Sequence, residues 1–409
     1  MEHWLVVAPR TFTSTLTDPH LRGVEFGRAN AAAVARTAQA YADLFARRGH
    51  PGFDARGWAA RFAEPIADLT PDLYAEILGI AQGAGLDSLE VISLNARTEI
   101  LAKADPAGDR ECSSVLVTTP GHTFGVQTWD WYAAMADNWL HWRQPRSDGG
   151  FTEVVTEFGV VGKIGTARSI DGAHVGVLLN ILHHRDDDNN DVGLPVHLLS
   201  RRLLECRSFA EALDVVRSIP VVASTSLTVF DLDTGGAIEL FAGGPGVVAP
   251  DDNGLIARTN HFLSSAGAPG CLIGAEGSES THLRLEQVRR LAGRTGLAPV
   301  DVLAAMTHHH DTDVGVCRHP RSDRPAHLRT ATLATVVVHP GEALDVRAGV
   351  PAGRCDLTAA MDHTIGCVQA SGRRPPGRQR RRSRAHARRL RRRARRRCRC
   401  AGVRCPADR

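Results

Sequence analysis

Apolar positions follow a helical period through the first hundred residues and a period of two afterwards. Residues 24–48, VEFGRANAAAVARTAQAYADLFARR, place apolar side chains three and four apart, and Gly49 follows as a stop, so one helix is expected there. Thr70-Pro71 reads as the N-cap and first residue of another helix. Asp87 and Glu90 read as a capping box before VISLN. The first 111 residues are therefore expected to be mostly helical.

From residue 112 alternation takes over. SSVLVTT, TFGVQTWDW, EVVTEFGVVGKI and HVGVLLNIL read as strands. PVHLLSRRLLE and AEALDVVRSI read as helices, the second opened by a capping box of Ser208 and Glu211. TSLTVFDLD and AIELFA flank Thr234-Gly235-Gly236 as a hairpin. THLRLEQVRRLAG and APVDVLAAMTHH are helical, and TATLATVVVHPGEALDVRAG is a last hairpin turning at Pro340-Gly341. Strands, two helices, strands, two helices, strands is the order of two packed sheets with helices outside. Periodicity by itself gives the α+β class.

Composition changes the picture at one end. The whole chain of 409 residues carries a net +4, but residues 372–409 hold 18 Arg, no Lys and one acidic residue. That tail is net +17 and the rest is net −13. The tail is low in complexity, is read as disordered and is given no fold. A polyanion-binding segment is one reading, and it is the route by which nucleic acid would be a partner. The other is the text of a shifted reading frame in a GC-rich gene. There are no aromatic residues in the tail to stack on bases. No run of 18 apolar residues exists and MEHWLVVAPR has no basic start before a long apolar stretch, so no membrane span or secretory leader is expected and a cytoplasmic location is. Six of the nine Cys are scattered ahead of the tail without a CxxC pair, against a disulfide framework or a zinc site.

The stretch with the most chemistry is ECSSVLVTTPGHTFGVQTWDW, residues 111–131. It reads as a hairpin turning at Gly121, with Cys112 at its start and Asp130 on the returning strand. A hairpin brings the thiol and the carboxylate together although 18 positions separate them. A cysteine at the start of a buried strand suits a nucleophile freed by cutting the chain just before it.

The same stretch resembles the start of the mature catalytic chain in the penicillin (isopenicillin N) acyltransferase family, whose members are self-cleaving N-terminal-nucleophile hydrolases. The resemblance is carried by Cys112-Ser113-Ser114 and Gln127-Thr128-Trp129-Asp130. It continues in TEFGVVGKIG (156–165), VGVLLNIL (175–182), ARTNHF (257–262) and GVCRHP (315–320), and upstream in YAEILGIAQGAGL (74–86) and LNARTEI (94–100). It implies a four-layer αββα sandwich. It divides the chain into a helical pro-segment or small chain packed on the core (1–111), a catalytic domain (112–371) and the Arg-rich tail (372–409). The competing division makes the first 111 residues the helical third of one domain.

The resemblance also implies roles. Cys112 is the nucleophile and, once the bond from Glu111 is cut, its own α-amine is the base, well placed with a pKa of about 7.7–8.0. Asp130 holds the α-ammonium or orients the thiol. Asn260 gives an amide N–H to the oxyanion. Arg318 pairs with Asp130 or anchors a substrate carboxylate. The plainer readings are a core thiol for Cys112, a turn cap for Asp130, a turn residue for Asn260 and a surface ion pair for Arg318. Glu111 departs from the family, which places Gly there, and Val126 and Thr128 depart from its Gly-Gln-Asn-Trp-Asp form.

The expected substrate is a small acyl amide or acyl thioester, taken through a cysteinyl thioester to water or an amine, with no cofactor and no metal. His308-His309-His310 with Asp311 and Asp313 reads as a polar helix end, and HHRDDDNND (183–191) as a solvated loop. No GxSxG, HExxH, Walker A or GxGxxG pattern occurs. The rival functions are an uncut, non-catalytic binding relative of the same fold and a nucleic-acid-associated protein led by the tail.

Overall fold

The computed structural model describes residues 9–105, 111–187, 193–273, 278–291, 293–307 and 315–349. All of them belong to one compact unit. A short strand, β1 (Thr11–Thr13), precedes six helices: α1 (Pro19–Ala29), α2 (Ala31–Arg48), α3 (Ala55–Leu69), α4 (Pro71–Ala84), α5 (Ser88–Asn95) and α6 (Arg97–Ala104). Strands β2 (Glu111–Thr119), β3 (His122–Tyr132), β4 (Trp139–Pro145), β5 (Phe151–Glu157), β6 (Ile164–Arg168) and β7 (His174–Ile181) follow. Then come α7 (Val196–Leu203), α8 (Phe209–Ser218), β8 (Thr225–Phe230), β9 (Gly235–Phe241), β10 (Gly244–Val248) and β11 (Leu255–Arg258). The chain continues through α9 (Ser278–Arg289), α10 (Pro299–Thr307), β12 (Thr330–Val338) and β13 (Asp345–Ala348).

The strands form two sheets, ordered β1-β4-β5-β6-β7-β8-β9-β10 and β11-β2-β3-β12-β13. Pairing is antiparallel except for β1 on β4. The sheets meet where β2 and β3 cross β7. Gln127 fastens the crossing: its Nε2 donates to Leu179 O (2.5 Å) and its Oε1 accepts from Leu179 N (2.9 Å). Helices α7 and α8 pack on β7–β10, while α9 and α10 pack on β11, β2 and β3. The class is α+β, as expected.

The N-terminal helices share the core of the sheets. Phe26 stacks on Trp142 at 4.1 Å between ring centroids, and both are buried. Helices α1 and α4 cross backbone to backbone through Gly23 and Gly27 against Gly79 and Gly83. A Cβ on Gly23 would run into the Glu76 carbonyl, and one on Gly79 into the His20 carbonyl.

Several expected details differ. The helix expected over 24–48 is two helices, broken at Asn30 (φ −122°, ψ 19°), whose side chain donates to Phe26 O and caps α1. Thr70 gives α4 no side-chain cap, because its hydroxyl donates back to Ile66 O. The capping box at Asp87 and Glu90 is present. Ser208 accepts from Glu211 N, but the Glu211 carboxylate takes Arg207 N rather than closing the box. The strand expected over 153–164 is divided into β5 and β6 at Gly159, which sits at φ +91°. The hairpin of β8 and β9 turns on Asp231–Thr234, where Asp231 Oδ1 accepts from Asp233 N and Thr234 N. Gly235 and Gly236 lie in the strand instead, because Phe230 and Phe209 fill the space of their side chains. Strands β1, β4, β10 and β11 were not expected.

Among the described residues no helix is long and apolar enough to cross a membrane. His308 to Asp313, residues 188–191 and the tail 372–409 lie outside the described residues.

Candidate active site

Strands β2 and β3 turn on Pro120-Gly121, with Gly121 at φ +73°, a left-handed conformation that glycine adopts without strain. The register pairs Glu111 with Asp130 and Cys112 with Trp129. Cross-strand partners share a face and neighbours along a strand alternate. The thiol therefore shares a face with Trp129, while the Asp130 carboxylate projects from the other face. Cys112 Sγ meets Asp130 through that residue's backbone carbonyl, at 3.9 Å.

Three elements hold the backbone of Cys112. Strand β11 runs beside β2, and two residues beyond its end Asn260 comes level with Cys112. Asn260 Oδ1 accepts from Cys112 N at 2.8 Å, and its Nδ2 donates one hydrogen to Ile181 O at 2.9 Å. From α9, Arg284 Nη1 donates to Cys112 O and to Ser113 Oγ (both 2.8 Å), and Nη2 donates to Asn260 Oδ1 (3.0 Å). From β7, Asn180 Nδ2 donates to Cys112 O at 3.2 Å while its Oδ1 accepts from Ser114 Oγ at 2.6 Å.

The thiol side opens on a cavity of about 20 Å³, room for roughly one water. Its wall includes Trp129, Trp131, Lys163, His197, Arg97 and Thr98, so the N-terminal helices contribute directly. Lys163 Nζ lies 3.8 Å from the Trp129 ring centroid, a cation over an aromatic face, and 3.8 Å from Glu157 Oε2. Glu157 is itself held by Arg97 (2.6 Å to Nη2, 3.0 Å to Nε) and by the Tyr41 hydroxyl (2.8 Å). Trp131 Nε1 donates to the same hydroxyl at 2.9 Å.

Burial sets the charge states. It pushes the Cys112 thiol up to about 11, helped by the Asp130 charge and opposed by Lys163 and Arg284. It pushes Asp130 up to about 7 against the Thr332 hydrogen bond and the Arg284 charge. It pulls Lys163 down to about 8, with Glu157 opposing. Glu157 is the exception: burial would raise it, but Arg97 and Lys163 outweigh burial and hold it below the usual range. Asp130 Oδ1 accepts from Thr332 Oγ1 at 2.6 Å, and its buried Oδ2 has no hydrogen-bond partner.

Cys112 and Asn260 thus come together, and Asp130 joins them through its backbone carbonyl, its carboxylate lying on the other face rather than beside the thiol as expected. Arg318 does not meet the Asp130 carboxylate. Its Nη2 donates to Ser280 Oγ at 3.1 Å, and its backbone N donates to Thr332 Oγ1 at 2.9 Å, so Thr332 stands between the two residues. Asn260 does offer its amide to Cys112, but through the oxygen. Sequence reasoning missed Arg284, Lys163, Asn180 and Thr332. Lys163 and Asn180 stand in stretches that carried the resemblance, GKIG and VGVLLNIL, without being singled out.

Taken together, these features define a two-sheet α+β protein with a buried thiol held at the start of an inner strand. Residues 117–318 match the family model described as AAT, acyl-coenzyme A:6-aminopenicillanic acid acyl-transferase. The chain is also 30% identical over 285 residues to the acyl-coenzyme A:6-aminopenicillanic-acid-acyltransferase 40 kDa form of Emericella nidulans, covering 69% of this chain and 76% of that protein. The chain belongs to this acyltransferase family.

Proposed function

We propose that the chain cuts itself between Glu111 and Cys112 and then acts as an N-terminal-nucleophile enzyme of acyl transfer. The fold is then the four-layer αββα sandwich of such enzymes, with residues 1–111 as a small chain that stays in place and 112–371 as the catalytic part. The observation that carries the reading is the grip on Cys112: Asn260, Arg284 and Asn180 fix both its amide N–H and its carbonyl while its thiol faces a water-sized cavity. Buried backbone groups are paired at any residue, but here the partners are three side chains converging from separate parts of the chain rather than the backbone of a neighbouring strand. The cavity is too small for an acyl substrate, which fits a precursor that must be cut before it can bind one.

After the cut, the freed α-amine takes the proton of Cys112 Sγ, which attacks the substrate carbonyl. The oxyanion receives the second hydrogen of Asn260 Nδ2, since one is already donated to Ile181 O. The ammonium returns its proton to the leaving group, and a cysteinyl thioester remains. Water or an amine then takes the acyl group. The donor class is an acyl amide or an acyl thioester of the acyl-coenzyme A kind named for the relative.

Intact-mass measurement tests the reading. The wild-type chain of 44.1 kDa is expected to give two copurifying pieces that break before Cys112, while Cys112→Ala stays whole. A wild-type protein that transfers or hydrolyses acyl groups while remaining one chain would refute it.

A further inference from the structure

The α-amine that serves as base in turnover does not exist before the cut, when Cys112 N is an amide whose hydrogen is donated to Asn260. Burial keeps the thiol protonated at neutral pH, so the first cut needs another group to take its proton.

The candidates on the thiol side can be taken in turn. Arg97 lines the cavity but does not deprotonate. His197 has both ring nitrogens engaged, Nε2 with Thr98 Oγ1 at 3.0 Å and Nδ1 with Gly162 O at 3.1 Å. Glu157 has its oxygens taken by Arg97 and Tyr41. Asp130 borders the cavity and its Oδ2 has no partner, but its carboxylate projects from the opposite face of the hairpin, and Cys112 Sγ meets its backbone carbonyl rather than its carboxylate. Lys163 remains. Its Nζ lies over Trp129, the direct cross-strand partner of Cys112, so amine and thiol face the same cavity.

We propose that Lys163 is the proton acceptor for the Cys112 thiol in the self-cleaving step, a role that rests on the cleavage reading above. The proton leaves Sγ for Nζ, directly or across the one water that the cavity can hold. The S–C bond to the Glu111 carbonyl carbon forms, the C–N bond to Cys112 breaks, and Nζ returns the proton to the departing nitrogen. Water then splits the thioester, leaving the Glu111 carboxyl group and the free thiol. The surroundings suit the task. Around Lys163 stand Glu157 on β5, Arg97 on α6, His197 on α7 and Cys112 on β2, with Asp130 on β3 bordering the same cavity and Tyr41 on α2 bonded to Glu157. Burial dominates over the pull of Glu157, and with Lys163 near 8 about a tenth of the molecules carry the neutral amine at pH 7.

The test follows scission by intact mass in the full chain, in wild type, Lys163→Arg and Lys163→Ala. Arginine keeps the positive charge but cannot accept a proton, so both variants are expected to cut about 100-fold more slowly or worse, with circular dichroism unchanged. Added ethylamine is expected to speed Lys163→Ala by about tenfold or more, a rescue that a structural role would not allow. The wild-type rate should rise with pH and level off above about 8. Lys163→Arg cutting within about threefold of wild type would overturn the proposal and leave the cleavage reading standing. If the variants do not fold, the wild-type profile decides: a rate still climbing tenfold per unit beyond pH 9 means direct use of the thiolate and overturns it. A wild-type chain that never cuts removes the cleavage reading, and this step with it.

Discussion

Replacing Asp130 by Asn should stabilise the uncut protein at alkaline pH and flatten its pH dependence. The carboxyl is fully buried, and burial raises it to about 7 in the folded chain against 3.8 for the exposed group. Between those values the folded state holds a proton that the unfolded state has lost, so stability falls as pH rises. The favourable contribution of Asp130 is complete below about 3.8 and is gone once pH passes about 7. Each unit of the window carries about 1.36 kcal/mol, so its full width is worth on the order of 4 kcal/mol. Asn keeps an acceptor for Thr332 but puts an N–H where Oδ2 now has no partner, at a cost of about 1–3 kcal/mol. A net gain of about 1–3 kcal/mol is therefore expected at pH 8, and a net loss of similar size at pH 4. The assay is urea unfolding between pH 4 and 8.5 in Cys112→Ala, so that every molecule is one chain, with and without Asp130→Asn. Subtracting the two curves cancels the other titrating groups. Parallel curves would refute the argument.

Arg284→Met in the Cys112→Ala background should cost about 2–4 kcal/mol, less than the sum of its bonds because Asn260 Oδ1 and Cys112 O each keep a second donor; urea unfolding checks it, and a change within about 0.5 kcal/mol would contradict it. Arg97→Met should cost more, about 3–5 kcal/mol, because Glu157 stays buried with its strongest partner gone; the same unfolding assay reads it.

How far the sequence could be read depended on range. Elements held by local chemistry were legible: the capping box at Asp87, the two-residue turn at Gly121 and the last hairpin at Pro340-Gly341. Where tertiary contacts decide, periodicity misled. An Ala-rich pattern carried smoothly across Asn30, yet the chain turns there so that the glycines of α1 can meet those of α4. Strands of three or four residues, such as β1 and β11, are too short for alternation to register and exist because a neighbour pairs with them.

The site shows the same division more sharply. Cys112, Asp130 and Asn260 were found because they stand in short motifs. The register then corrected their relation, since a pair 18 positions apart on a hairpin reads as adjacent until alternation assigns the two side chains to opposite faces. Lys163 and Arg284 were invisible for a different reason. A lysine or arginine in a sequence reads as a solvated charge, and long range alone decides whether it is buried. Here three cations, Arg97, Lys163 and Arg284, are buried around one thiol, with Glu157 and Asp130 as the carboxylates near them. Burying them is costly unless they are paired or bonded, and each is held by contacts from a different part of the chain. Arg97 comes from the helical third, Lys163 from the loop after β5 and Arg284 from α9. The chemistry around Cys112 is thus assembled by the whole compact unit. For that reason a cut before Cys112 would open the site without dismantling it: Arg97 and Tyr41 stay bonded to Glu157 across the break.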